Sequence, residues 1–208
     1  SAQIKPDTFA GLKARSIGPA NMRGRIGAIE AVAADPNVIY VGAAAGGVWK
    51  STDGGTTWTP VFDDQPVASI GAIAVYQKNP NIVWVGTGES KPRNSVSVGR
   101  GVYLSLDAGK TWKLMGLEKT EKISKIQIHP DNPDVVFVAA LGGSWGDSAE
   151  RGVFKTVDGG KTWKKVLYVN DKTGAAEMAM DPSNPNRILV SMWEHRRWPW
   201  FFVSGGPG

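Results

Sequence analysis

Three segments decide the reading of this chain: Gly47-Val-Trp-Lys-Ser-Thr-Asp-Gly-Gly-Thr-Thr-Trp58, Gly101-Val-Tyr-Leu-Ser-Leu-Asp-Ala-Gly-Lys-Thr-Trp112 and Gly152-Val-Phe-Lys-Thr-Val-Asp-Gly-Gly-Lys-Thr-Trp163. They align without gaps on Ser/Thr-x-Asp-x-Gly-x-Thr-Trp. Their aspartates, Asp53, Asp107 and Asp158, are 54 and 51 residues apart. A carboxylate in a tight turn accepts hydrogen bonds from backbone amides just ahead of it, and Gly55, Gly109 and Gly160 permit the positive φ of the reversal. Ser51, Ser105 and Thr156 open the pattern, and Trp58, Trp112 and Trp163 close it with a ring that covers the turn. These residues therefore read as hairpin locks, not as catalytic acids or metal ligands.

A second element precedes each turn. Asp35-Pro-Asn-Val-Ile-Tyr-Val41, Asn79-Pro-Asn-Ile-Val-Trp-Val85, Asn132-Pro-Asp-Val-Val-Phe-Val138 and Asn184-Pro-Asn-Arg-Ile-Leu-Val190 are four copies of a proline turn entering a strand. Runs with period-two character lie before them, at 26–32, 70–76, 123–128 and 175–180. Each unit thus reads as strand, proline turn, strand, loop, strand, aspartate turn, strand. Four antiparallel strands repeating at about 50 residues are the signature of propeller blades. The blades fall at 25–63, 69–117 and 122–169, with a partial fourth at 174–208.

Composition agrees. The 208 residues carry 26 glycines and 9 tryptophans with only 21% charged residues. That excludes a helical bundle, a coiled coil or a disordered tail. Absence of cysteine excludes disulfides and thiolate metal sites. No apolar run is long enough to span a bilayer as a helix. The net charge of +5 comes from lysines spread over turns and strands, Lys110, Lys122, Lys125 and Lys161 among them. Scattered lysines of this kind are expected to be solvated, and no nucleic-acid module accompanies them.

The repeat resembles the Asp-box, or bacterial neuraminidase repeat, found in sialidases, xyloglucanases and sortilin-type propellers. The resemblance covers essentially the whole chain. It implies an all-β propeller of four-stranded antiparallel blades, more narrowly the sortilin-like propeller of large exported bacterial proteins. It also implies that the loops between second and third strands face away from the Asp-box turns and meet the ligand.

Spacing from proline turn to aspartate predicts a fourth Asp-box near 210–212. The chain accordingly reads as an arc of about three and a half blades, with residues 9–17 as a strand of the last blade. In a rival reading Trp200 to Ser204 form the third strand of blade four, and a four-bladed ring closes on residues 9–17. A partner chain completing the ring is a third possibility.

The expected loop face gathers Arg23, Arg25, Glu89, Arg93, Trp145, Glu150, Glu194, Arg196 and Trp198 as candidate ligand-binding residues. Indole rings beside arginines and carboxylates suit sugars, which stack on apolar faces and bond through hydroxyls. They suit protein partners equally well. The leading expectation is a non-catalytic binding propeller recognising protein or glycan. The alternative is an Asp-box glycoside hydrolase acting on polysaccharide, which needs two carboxyl groups about 5–9.5 Å apart. Glu89, Asp147, Glu150 and Glu194 qualify by position only. Against catalysis, xyloglucanase-like propellers carry an aspartate two residues before a Gly-Gly where this chain has Ala44. Sialidases begin Arg-Ile-Pro, whereas this chain reads Arg25-Ile-Gly27. His195 beside Glu194 is a weak metal pair, so no metal or cofactor is expected.

Overall fold

The structure, a computed structural model, describes residues 25–91 and 96–205; the strand read at 9–17, Arg23 and Arg93 lie outside them. Among the described residues, fifteen strands form four separate antiparallel sheets, and one 3₁₀ turn covers Glu118–Thr120. The first is β1 (Ile26–Val32), β2 (Asp35–Ala43), β3 (Gly47–Ser51) and β4 (Thr59–Pro60). The second is β5 (Ile70–Val75), β6 (Val83–Thr87), β7 (Val102–Ser105) and β8 (Lys113–Leu114). The third is β9 (Ile123–His129), β10 (Asn132–Ala140), β11 (Gly152–Thr156) and β12 (Lys164–Leu167). The fourth holds β13 (Thr173–Asp181), β14 (Asn184–Arg197) and β15 (Phe202–Ser204). Strand order follows chain order in every sheet. The innermost strands β1, β5, β9 and β13 adjoin one another, which is propeller architecture. The fourth sheet has a third strand, β15, where the repeat alone had shown two.

Strand alternation explains the core. Tyr40, Val48 and Phe62 of the first sheet pack against Ile73, Val83, Val85 and Tyr103 of the second. Trp84 and Val102 of the second pack against Ile126, Val136, Val138 and Phe154 of the third. Ala139 and Val153 of the third meet Ala175 and Met178 of the fourth, with Ile188, Val190 and Met192 alongside. Each sheet therefore buries one face on its neighbour, as side chains of period two require.

A recurring irregularity sets the distance between sheets. Pairing skips one residue near the start of each innermost strand, leaving Gly27, Gly71, Ser124 and Ala176 as bulges. A Cβ on Gly27 would stand 2.5 Å from the Ile70 carbonyl oxygen, and one on Gly71 2.1 Å from that of Ile123. At the third bulge the Ser124 hydroxyl donates to the Ala175 carbonyl at 2.7 Å. Small residues at the bulges let each blade lean on the backbone of the next.

The aspartate turns share one hydrogen-bond set. Asp53 Oδ1 accepts from the Ser51 hydroxyl (2.8 Å) and the Thr57 amide (2.8 Å), and Oδ2 from the Thr57 hydroxyl (2.6 Å). Asp107 and Asp158 repeat these contacts with Ser105 and Thr111, and with Thr156 and Thr162. Hydrogen bonds from the threonine hydroxyl and amide and from the serine hydroxyl hold Asp53 and Asp107 down to a pKa of about 2. Gly55, Gly109 and Gly160 have φ of 92°, 87° and 87°.

The tryptophans act differently from a simple cover. Trp58 Nε1 donates to Gly55 in its own turn at 2.9 Å. Trp112 and Trp163 instead reach the preceding sheet, donating to the carbonyls of Val61 (2.6 Å) and Met115 (2.7 Å).

Candidate functional site

The loops between second and third strands and the crossings between sheets cluster at one end, and the candidate residues separate there into two groups. The first joins sheets one and two. Arg25 forms a two-pronged ion pair with Glu89: its Nε donates to Oε1 at 2.6 Å, and its Nη2 contacts both carboxylate oxygens. The Glu89 side chain is 4% exposed and that of Arg25 32%. The Glu89 amide is also held, by the Ser69 hydroxyl at 2.9 Å. This pair is a bolt between the entry to β1 and the loop after β6.

The second group lies between sheets three and four. Arg196, near the end of β14, pairs with Asp147 of the β10–β11 loop at 2.6 Å. The Arg196 guanidinium lies 4.5 Å over the Trp198 ring. Trp198 stacks on Phe201 at 5.8 Å and 15°, and Trp200 lies 6.4 Å from Phe201. The Arg197 amide donates to the Ser144 carbonyl at 2.7 Å, tying this hairpin to the loop bearing Trp145. Exposure is 53% for Trp145, 79% for Trp200 and 47% for Phe201, so the rings form an open apolar surface braced by an ion pair. Glu150 and Glu194 are half-buried, and Glu194 faces Thr173 across the β13–β14 ladder.

Beneath this surface is a buried polar cluster that composition could not reveal. Lys122, Ser144, Arg151 and His195 are each at most 2% exposed, so Lys122 is not among the solvated lysines expected from its neighbours. Arg151 donates to the carbonyls of Leu141 (2.6 Å), Gly143 (2.5 Å) and Asp171 (2.8 Å). Those bonds gather two loops around one side chain. Its Nη1 also stands 3.2 Å from His195 Nδ1. Because guanidinium only donates, Nδ1 accepts and Nε2 carries the proton. That Nε2 faces the Ser144 hydroxyl at 3.4 Å, and the Lys122 amine contacts the same oxygen.

Burial, with Arg151 and Lys122 adjacent, pushes His195 down to about 3, and burial lowers Lys122 to about 8. The tautomer points a proton at Ser144, so the imidazole is not poised to take one from it. His195 stacks on Trp193 at 5.0 Å and belongs to this network, not to a metal pair with Glu194. Among the described residues no cluster of three or more metal-ligating side chains occurs.

Behind the same end, the inner strands enclose a cavity of about 390 Å³ lined by Glu30, Lys91, Lys125, Glu177 and Trp193. Lys125 and Glu177 pair across it at 3.3 Å.

A profile of the sortilin/Vps10 family, described as sortilin, neurotensin receptor 3, matches residues 100–199. A xyloglucanase of Hypocrea jecorina (strain QM6a) is 28% identical over 201 residues, covering 82% of this chain and 23% of that protein. A xyloglucanase of Acetivibrio thermocellus is 25% identical over 218 residues, covering 66% and 25%. The chain spans about a quarter of the length of these relatives. Among solved structures, an ancestral GH74 enzyme superposes with a TM-score of 0.62 at 20% identity, over 82% of this chain and 22% of that one. YCF48 bound to D1 peptide gives 0.55 at 14% identity, over 89% and 52%. The fold is that of a β-propeller. The sequence relatives favour the glycoside hydrolase alternative over a purely non-catalytic role. Among the described residues, no helix is long and apolar enough to cross a membrane.

Proposed function

We propose that this chain is a section of a polysaccharide-acting propeller of the xyloglucanase type, and that its loop end supplies glycan-binding surface, not the hydrolytic carboxylates. The similarity to xyloglucanases over 82% of the chain carries the substrate class. The exposed rings of Trp145, Trp198 and Trp200 support the binding role, since pyranose faces stack on aromatic planes while Arg196 and Asp147 offer groups for hydroxyls.

Several candidates are engaged in this scheme. Glu89 serves as the buried half of a structural pair, and Ala44 stands where the resemblance to xyloglucanase-like propellers leads one to look for an aspartate. A substrate of polymeric size implies export, and bacterial export is part of the proposal. The sortilin-like and Asp-box assignments belong to it as well, with the aspartate turns as structural locks.

The test is a panel of soluble β-glucans and xyloglucan oligosaccharides, assayed for binding and for release of reducing ends. Saturable binding without turnover supports the proposal. Turnover that disappears in Glu194→Gln or Glu150→Gln contradicts the assignment of binding alone to this section.

A second reading has its own support. Trp and Arg dominate binding hot spots between proteins, and one propeller of this fold is known with a peptide bound. Recognition of a protein segment by the same surface would show as binding to a peptide library with no response to any glycan.

A further inference from the structure

The crossing from β8 to β9 contains a turn that the repeat does not demand. The Lys122 amide donates to the Thr120 carbonyl, two residues back, at 2.6 Å. Glu121 stands between them at φ 57° and ψ −37°. This is a γ-turn with a positive central φ, a rare and strained form for a residue that carries a side chain. The crossing from β4 to β5 supplies the comparison. There the Ser69 carbonyl accepts from the Gly88 amide (2.8 Å), as the Lys122 carbonyl accepts from Leu141 (3.0 Å), so Ala68 is the counterpart of Glu121. The Ala68 carbonyl accepts from Gly47 at 2.8 Å and that of Glu121 from Gly99 at 2.6 Å, yet Ala68 has no positive φ. Linking one blade to the next therefore does not require the strain.

What the turn does is place a carboxylate. The Glu121 side chain lies over Gly143, where a Cβ would stand 2.8 and 2.9 Å from its two oxygens. Gly143 belongs to the β10–β11 loop that bears Trp145 and Asp147, so the carboxylate adjoins the aromatic surface. Glu121 is half-buried, and among the described residues no hydrogen bond or ion pair reaches its carboxylate. Its charge acts on buried Lys122 and Arg151 but pairs with neither. Strained backbone is retained where it positions a group for a ligand, and a free carboxylate offers two oxygens to hydroxyl donors.

We propose that Glu121 is a glycan-binding residue whose carboxylate accepts hydroxyl groups of a chain lying along the Trp145 loop. The inference rests on the glycan reading of the loop end. It carries the contact surface from sheets three and four to the junction of sheets two and three.

The test titrates xyloglucan oligosaccharides by calorimetry into the parent chain, Glu121→Gln, Gly143→Ala and the combined variant, with thermal melting of each and of Glu121→Gly. Glutamine keeps the shape and removes the charge, and should weaken binding at least fivefold. The methyl of Gly143→Ala meets only the end of a flexible side chain, so it displaces the carboxylate and should weaken binding similarly. The combined variant should bind no more weakly than either single one. Glu121→Gly relieves the turn and should melt no lower than the parent. Parent affinity retained in Glu121→Gln, or losses that add in the combined variant, would overturn the inference and leave the glycan reading standing. Melting of Glu121→Gln or Glu121→Gly well below the parent would assign the carboxylate to offsetting the buried cations, and overturn it too. A parent that binds no glycan would remove the glycan reading itself, and the inference with it.

Discussion

The indole of Trp112 donates to the carbonyl of Val61, 2.6 Å away in the preceding sheet, while its ring meets Phe62 edge-on at 5.3 Å. One side chain thus supplies both a polar and an apolar link between blades. Trp112→Phe keeps most of the ring contact and leaves the Val61 carbonyl without this donor. A loss of about 1 kcal/mol is expected in urea unfolding. Trp58→Phe should cost less than about 0.5 kcal/mol, because Trp58 bonds only within its own turn.

The bulge residues give a steric prediction. A methyl at Gly71 would lie 2.1 Å from the Ile123 carbonyl oxygen and 2.3 Å from that of Gly88, both backbone atoms. Gly71→Ala should therefore destabilise by about 1–3 kcal/mol or more, as sheets one blade apart are forced to separate. Gly146→Ala meets nothing within 4 Å and should leave the unfolding midpoint unchanged. Thermal denaturation of the two variants side by side tests the difference.

Much of the fold was legible because it is periodic. The proline turns and the aspartate turns repeat residue by residue, and each repeat carries its own strand alternation. β15 was less visible, since Phe202–Ser204 follow a run of Trp and Arg with no turn signature. The site was legible only as a set of loops. Nothing in the spacing tells that Glu89 is buried on Arg25 while Trp200 is open to solvent, because the burial of Glu89 depends on a partner 64 positions away. Lys122 likewise resembles the exposed lysines around it. Its burial follows from the Arg151 cluster, which assembles from two different sheets.

The Arg25–Glu89 pair should respond asymmetrically to truncation. Arg25→Ala leaves a carboxylate in a site where only 4% of its side chain reaches water, a loss on the order of 3 kcal/mol. Glu89→Ala leaves a guanidinium that reaches solvent and should cost less. Equal effects in chemical denaturation would mean that the pair does not bolt β1 to the loop after β6.

Acid stability should decline in two stages. His195 is held neutral in the fold, down to a pKa of about 3 from 6.5. Below pH 6.5 the unfolded chain therefore binds a proton that the native chain refuses, and stability falls as pH drops from there. Asp53 and Asp107, held at about 2 from 3.8, contribute stability that is full above pH 4 and lost towards pH 2. His195→Gln should flatten the upper stage, and Asp53→Asn with Asp107→Asn the lower one. By NMR, the imidazole resonances of His195 should not titrate between pH 8 and 5.

The binding role of the loop end is tested most directly by intrinsic tryptophan fluorescence during titration with xyloglucan oligosaccharides. Trp200 is 79% exposed, so Trp200→Ala should melt like the parent chain. The account predicts a saturable change in the parent and affinity at least tenfold weaker in Trp200→Ala, about 1.4 kcal/mol. No saturable response, or the same affinity in Trp200→Ala and Trp198→Ala as in the parent, would contradict it.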